Sequence, residues 1–76
     1  MRALTTLQTF SHKTGKLFTG VRVNLGAGSA TMEVSTPDGW DLEKTFVVSG
    51  TEVFVTKTDS TYRMVLANGA KAYLVS

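Results

Sequence analysis

Turn signals recur along this chain at strand-length intervals, and that spacing limits the fold more than any other feature. Lys13-Thr14-Gly15, Gly26-Ala27-Gly28-Ser29, Pro37-Asp38-Gly39, Ser49-Gly50, Asp59-Ser60 and Asn68-Gly69 each offer residues that tolerate positive φ or bond their own backbone. Between them lie short segments rich in the residue types that suit a pleated, half-buried surface: twelve threonines, nine valines and seven aromatics. The pattern predicts strands over 16–25, 30–35, 40–48, 51–57, 61–66 and 70–75. The first ten residues mix helical spacing (Leu4, Leu7, Phe10) with extended preference (Thr5, Thr6, Thr9) and are read as a further strand. No connection is long enough for a crossover helix, so chain neighbours are expected to pair antiparallel. The expected fold is all-β: a small antiparallel meander of six to seven short strands, closed into a barrel or tight roll to remove its edges.

Seventy-six residues hold one domain, and no repeat or linker divides 1–76. No cysteine is present, which removes disulfides, thiolate nucleophiles and thiolate metal sites together. The formal net charge is only +2, permissive of a nucleic-acid partner without pointing to one. No apolar run approaches membrane-span length, and residues 1–6 lack the apolar stretch of a secretory signal, so a soluble, cytoplasmic chain with no membrane partner is expected.

Turn lengths sort residues into two faces. Two-residue turns at Ser49-Gly50 and Asp59-Ser60 place Phe46 opposite Val53, Val53 opposite Leu66, and Val55 opposite Met64. A three-residue Ala67-Asn68-Gly69 loop with Gly69 left-handed opposes Met64 to Ala72 and Tyr62 to Leu74. The expected core is Leu17, Val21, Val23, Met32, Val34, Leu42, Phe46, Val48, Val53, Val55, Tyr62, Met64, Leu66, Ala70, Ala72 and Leu74, with Trp40 capping its rim. The opposite face collects Phe54, Val65, Tyr73, Arg63, Lys71 and Val47, with Glu43 and Glu52 beside them. It is too apolar for a solvated face and requires either cover from Leu4, Leu7 or Phe10 or a partner.

Reactive chemistry finds little support. Ser11-His12 lies in an expected surface turn, where no third group orients the ring, so His12 is read as a surface histidine and no enzyme is expected. One histidine and six scattered carboxylates do not assemble a metal site, and no cofactor is expected. Asp41 and Glu43 read as solvated acids, and the glycine-rich 26–29 segment, followed by a strand rather than a helix, reads as a flexible hairpin loop.

The sequence therefore points to a non-enzymatic module that docks its aromatic and basic sheet face on a protein partner, either a second copy or a target surface that it occludes. Phe54, Val65, Tyr73, Arg63, Lys71 and Val47 are the contact residues. The alternative is single-stranded nucleic acid, with bases stacked on Phe54 and Tyr73 and phosphates on Arg63 and Lys71. Glu43 and Glu52 on the same face argue against it.

Overall fold

The Pro37-Asp38 turn closes as its residues predict. Thr36 pairs with Gly39, the Thr36 hydroxyl donates to the Gly39 carbonyl at 3.0 Å, and Asp38 N–H donates back to Thr36 Oγ1 at 3.3 Å. It joins two of the eight strands in the computed structural model, which describes residues 2–13, 19–54 and 59–75, with the backbone alone for 52–54. In chain order these are β1 (Arg2–Leu4), β2 (Thr9–His12), β3 (Thr19–Asn24), β4 (Ser29–Thr36), β5 (Gly39–Phe46), β6 (Gly50–Phe54), β7 (Ser60–Ala67) and β8 (Lys71–Leu74). They form two antiparallel four-stranded sheets, β1-β8-β3-β6 and β2-β7-β4-β5.

The all-β antiparallel expectation holds, while the closed barrel and the meander do not. Among the described residues, β4 and β5 are the only chain neighbours that pair. The pairs β1/β2, β3/β4, β5/β6 and β7/β8 each send one strand to each sheet, and these four units stand in the same order in both. The turns inside these four units therefore switch sheets, and only the Pro37-Asp38 turn, among the described residues, closes a hairpin. Asn68 (φ 56°) and Gly69 (φ 86°) make a tight turn with an Ala70 N–H to Ala67 carbonyl bond of 3.3 Å, yet β7 then pairs with β4 and β2 while β8 pairs with β3 and β1. A flat meander leaves one face wet; folding each unit over brings two apolar faces together.

That shared interior contains Leu4, Val21, Val23 and Ala72 from one sheet and Phe10, Ala30, Met32, Phe46, Tyr62 and Met64 from the other. Phe10 and Tyr62 sit directly opposite in the β2–β7 ladder, their rings tilted and 5.8 Å apart. Val34, Leu66 and Leu74 pack against the core partly buried. Two expected core residues are instead on the surface: Leu42 is 64% exposed and Val48 73%. For Leu42 the cause is a bulge. Met32 pairs with Lys44 but Glu33 pairs with Leu42, so Glu43 is an extra residue and the side-chain alternation of β5 reverses there. Val48 lies in the sheet-switching connection after Phe46. Leu17, Val55 and the side chain of Val53, also expected in the core, lie outside what is described.

The amino-terminal segment supplies two strands rather than a cover. β1 extends one sheet beside β8, and β2 extends the other beside β7. Their connection latches onto β7, with Leu7 N–H donating to the Met64 carbonyl at 2.7 Å and Leu66 N–H to Thr6 Oγ1 at 3.0 Å. The glycine-rich 26–29 segment is a tight turn, not a free loop. Gly28 N–H donates to the Leu25 carbonyl at 2.8 Å, and the Gly28 Cα rests on the backbone of the Ala67–Ala70 turn.

His12 overturns its surface reading. It is fully buried, with Nδ1 hydrogen-bonded to Thr19 Oγ1 at 2.7 Å. In β2 the side chains alternate, so Ser11 faces out while His12 faces the core, and the two form no pair.

Candidate functional site

The residues expected to share one face belong to two. Arg63 and Val65 alternate with buried Tyr62 and Met64 on β7, so they stand on the outer face of the β2-β7-β4-β5 sheet. Lys71 and Tyr73 alternate with buried Ala72 on β8, so they stand on the outer face of the β1-β8-β3-β6 sheet. Val47 follows β5 and is 80% exposed. Phe54 pairs through its backbone with Thr19, a residue of the buried row, and its side chain lies outside what is described. The single six-residue docking face is therefore not formed, because β7 and β8 separate at the Asn68-Gly69 turn instead of pairing.

On the β2-β7-β4-β5 sheet the ladder sets Thr9, Arg63, Glu33 and Leu42 in one row across the four strands, with Trp40 opposite Ser35 in the next. Arg63 Nε donates to Glu33 Oε1 at 2.7 Å, and its guanidinium carbon lies 4.3 Å from the centre of the Trp40 ring. Both charged side chains are about one-quarter exposed (25% and 23%), so the pair is partly shielded from solvent. A planar guanidinium held by a carboxylate on one side and an indole face on the other has lost much of its rotamer freedom in advance. Leu42 projects beside this stack, turned outward by the bulge at Glu43.

Trp40 and Leu42 are the residues that sequence reasoning assigned to the core and the structure assigns to this face. Their placement follows from the bulge: Lys44, beyond it, stands opposite buried Met32, whereas Leu42, before it, stands opposite Glu33 on the outer face.

The outer face of the other sheet has a different character. Tyr73 sits between Ala3 of β1 and Arg22 of β3, Lys71 is opposite Asn24, and Arg22 is opposite Thr51. A cleft of about 790 Å³ over β3 is lined by Arg22, Asn24, Ser49, Thr51 and Tyr73. The described side chains of β1, β3 and β8 include no Asp or Glu. Glu52 on β6 pairs through its backbone with Val21 of the buried row, whereas Thr51 pairs with Arg22. Of the six acids in the chain, Glu33, Asp38, Asp41 and Glu43 belong to the β4–β5 hairpin.

Among the described residues, no three His, Cys, Asp or Glu side chains come together in a metal-binding group, and no helix is long and apolar enough to cross a membrane. Comparison with known proteins finds no match among protein-family models, curated proteins or solved structures.

Proposed function

We propose that the chain is a non-enzymatic protein-binding module that docks the outer face of its β2-β7-β4-β5 sheet on a partner. Trp40, Leu42 and Arg63 form the centre of the contact, and Val65 and Val47 flank it. The observation that carries the reading is Leu42, 64% exposed beside an indole on which Arg63 is already stacked. Tryptophan and arginine dominate the energetics of protein interfaces, and anchors fixed before association lose less entropy on binding. The Glu33 carboxylate neutralises Arg63 in place, so the pair enters an apolar contact without an uncompensated charge. No residue in this contact has to react: the partner is a second copy or a target whose surface is occluded.

Affinity capture with the immobilised chain tests this. Leu42→Asp and Trp40→Ala are expected to lose the proteins retained by the wild type, while Arg22→Gln, on the opposite face, retains them. An identical captured set with Leu42→Asp refutes the reading.

A further inference from the structure

We propose that the outer face of the β1-β8-β3-β6 sheet binds a single nucleic-acid strand, with one base against the Tyr73 ring and neighbouring phosphates on Arg22 and Lys71. This site is separate from the protein-docking face and rests on different residues. Tyr73 occupies β8, an interior strand of its sheet, with Arg22 directly opposite on β3 and Lys71 two residues along on the same side. Opposed residues lie about 5 Å apart and residues two apart on a strand about 7 Å, so both cations border the ring. The cleft beside the ring, about 790 Å³, falls within the range of about 300–1,000 Å³ typical of small-ligand sites and takes a base with its sugar. Asn24 and Thr51 are among its lining residues and carry groups able to hydrogen-bond a sugar or phosphate.

Charge selects the occupant. A strand-binding surface needs one sign of charge, and the described side chains of this face carry Arg22 and Lys71 with no carboxylate among them. Of the acids that argued against this reading from sequence, Glu43 lies on the other sheet. A protein partner fits this face less well, because among the described residues none of the exposed large hydrophobics, Leu7, Leu42, Val47 and Val48, belongs to a strand of this sheet.

Fluorescence anisotropy with a labelled oligothymidylate of about 12 nucleotides, within the usual footprint of small β-sheet binders, tests the assignment. The wild type is expected to bind at low salt, and affinity should fall with log salt at a slope of about −0.7 for each phosphate engaged. Tyr73→Ala should weaken binding roughly tenfold or more while Tyr73→Phe preserves it, since stacking needs the ring and not the hydroxyl. Arg22→Gln, at an exposed position that leaves the fold intact, should weaken binding and lower the slope by about 0.7. Leu42→Asp should change nothing. Absence of wild-type binding, insensitivity to Arg22→Gln, or equal competition by polyglutamate of matched charge overturns the proposal; the last would show that the face reads charge and not bases.

Discussion

His12 and Thr19 hold each other inside the core through a 2.7 Å hydrogen bond between Nδ1 and Oγ1, while His12 Nε2 has no partner among the described residues. Both residues are fully buried, so the bond joins β2 of one sheet to β3 of the other through an otherwise apolar interior. Removing only the threonine hydroxyl leaves the imidazole with two unmet polar atoms. Thr19→Val should therefore cost about 1–3 kcal/mol in urea-induced unfolding. Replacing the histidine as well, in His12→Phe/Thr19→Val, should recover part of the loss. A Thr19→Val protein as stable as the wild type would contradict this.

Gly28 meets a different limit. A Cβ there would be driven into the Ala67 carbonyl oxygen and lie 2.8 Å from both the Ala70 nitrogen and the Asn68 oxygen, all backbone atoms that cannot swing aside. Gly28→Ala should thus cost at least about 1–3 kcal/mol, the range for overpacking, by prising apart the two turns that stack at this end. Thermal unfolding checks it; an unchanged midpoint would mean that the turns do not touch.

Leu7 adopts φ 65°, a left-handed conformation that a leucine rarely takes, because its N–H must reach the Met64 carbonyl to join β2 to β7. Its side chain is 54% exposed, so little packing opposes a change. Left-handed backbone costs a residue with a Cβ about 1–2 kcal/mol, and glycine gives back part of the relief through its freer unfolded chain. Leu7→Gly should leave stability unchanged or raise it by up to about 1 kcal/mol. A clear loss of stability would show that the side chain is needed.

Trp40 is the sole tryptophan, so its emission reports on the proposed docking face. With the Arg63 guanidinium 4.3 Å from the ring centre, Arg63→Ala should red-shift the fluorescence and increase acrylamide quenching. Stability should fall by no more than about 1 kcal/mol, because the partly exposed ion pair with Glu33 contributes little. An unaltered spectrum would mean that the stack does not persist in solution.

Local chemistry made much of the molecule legible. The Pro37-Asp38 turn, the left-handed Gly69 and the alternation of Val21 with Val23, Tyr62 with Met64 and Ala70 with Ala72 all follow from residue type and spacing. Partner choice between strands was not legible. β7 pairs with β4 rather than with β8, from Val34 opposite Tyr62 to Ser29 opposite Ala67, far apart in the chain, and no turn residue encodes that. Loop length fixes a register only where the two strands stay together, and here most turns hand the chain to the other sheet. The candidate site divided for the same reason: Tyr73 and Arg63 were aligned through a β7–β8 ladder that does not form. The burial of His12 escaped notice because a single polar residue beside a turn looks solvated until a distant threonine supplies its partner.

Both the docking face and the revised fold depend on β5 reversing its alternation at Glu43, and Leu42→Asp tests that reversal most directly by equilibrium urea unfolding. If Leu42 lies outside, as its 64% exposure states, the substitution should change the unfolding free energy by no more than about 0.5 kcal/mol, as at other surface positions. A loss of several kcal/mol, of the size expected for Phe46→Ala in the core, would place Leu42 in the interior and leave the proposed contact without its centre.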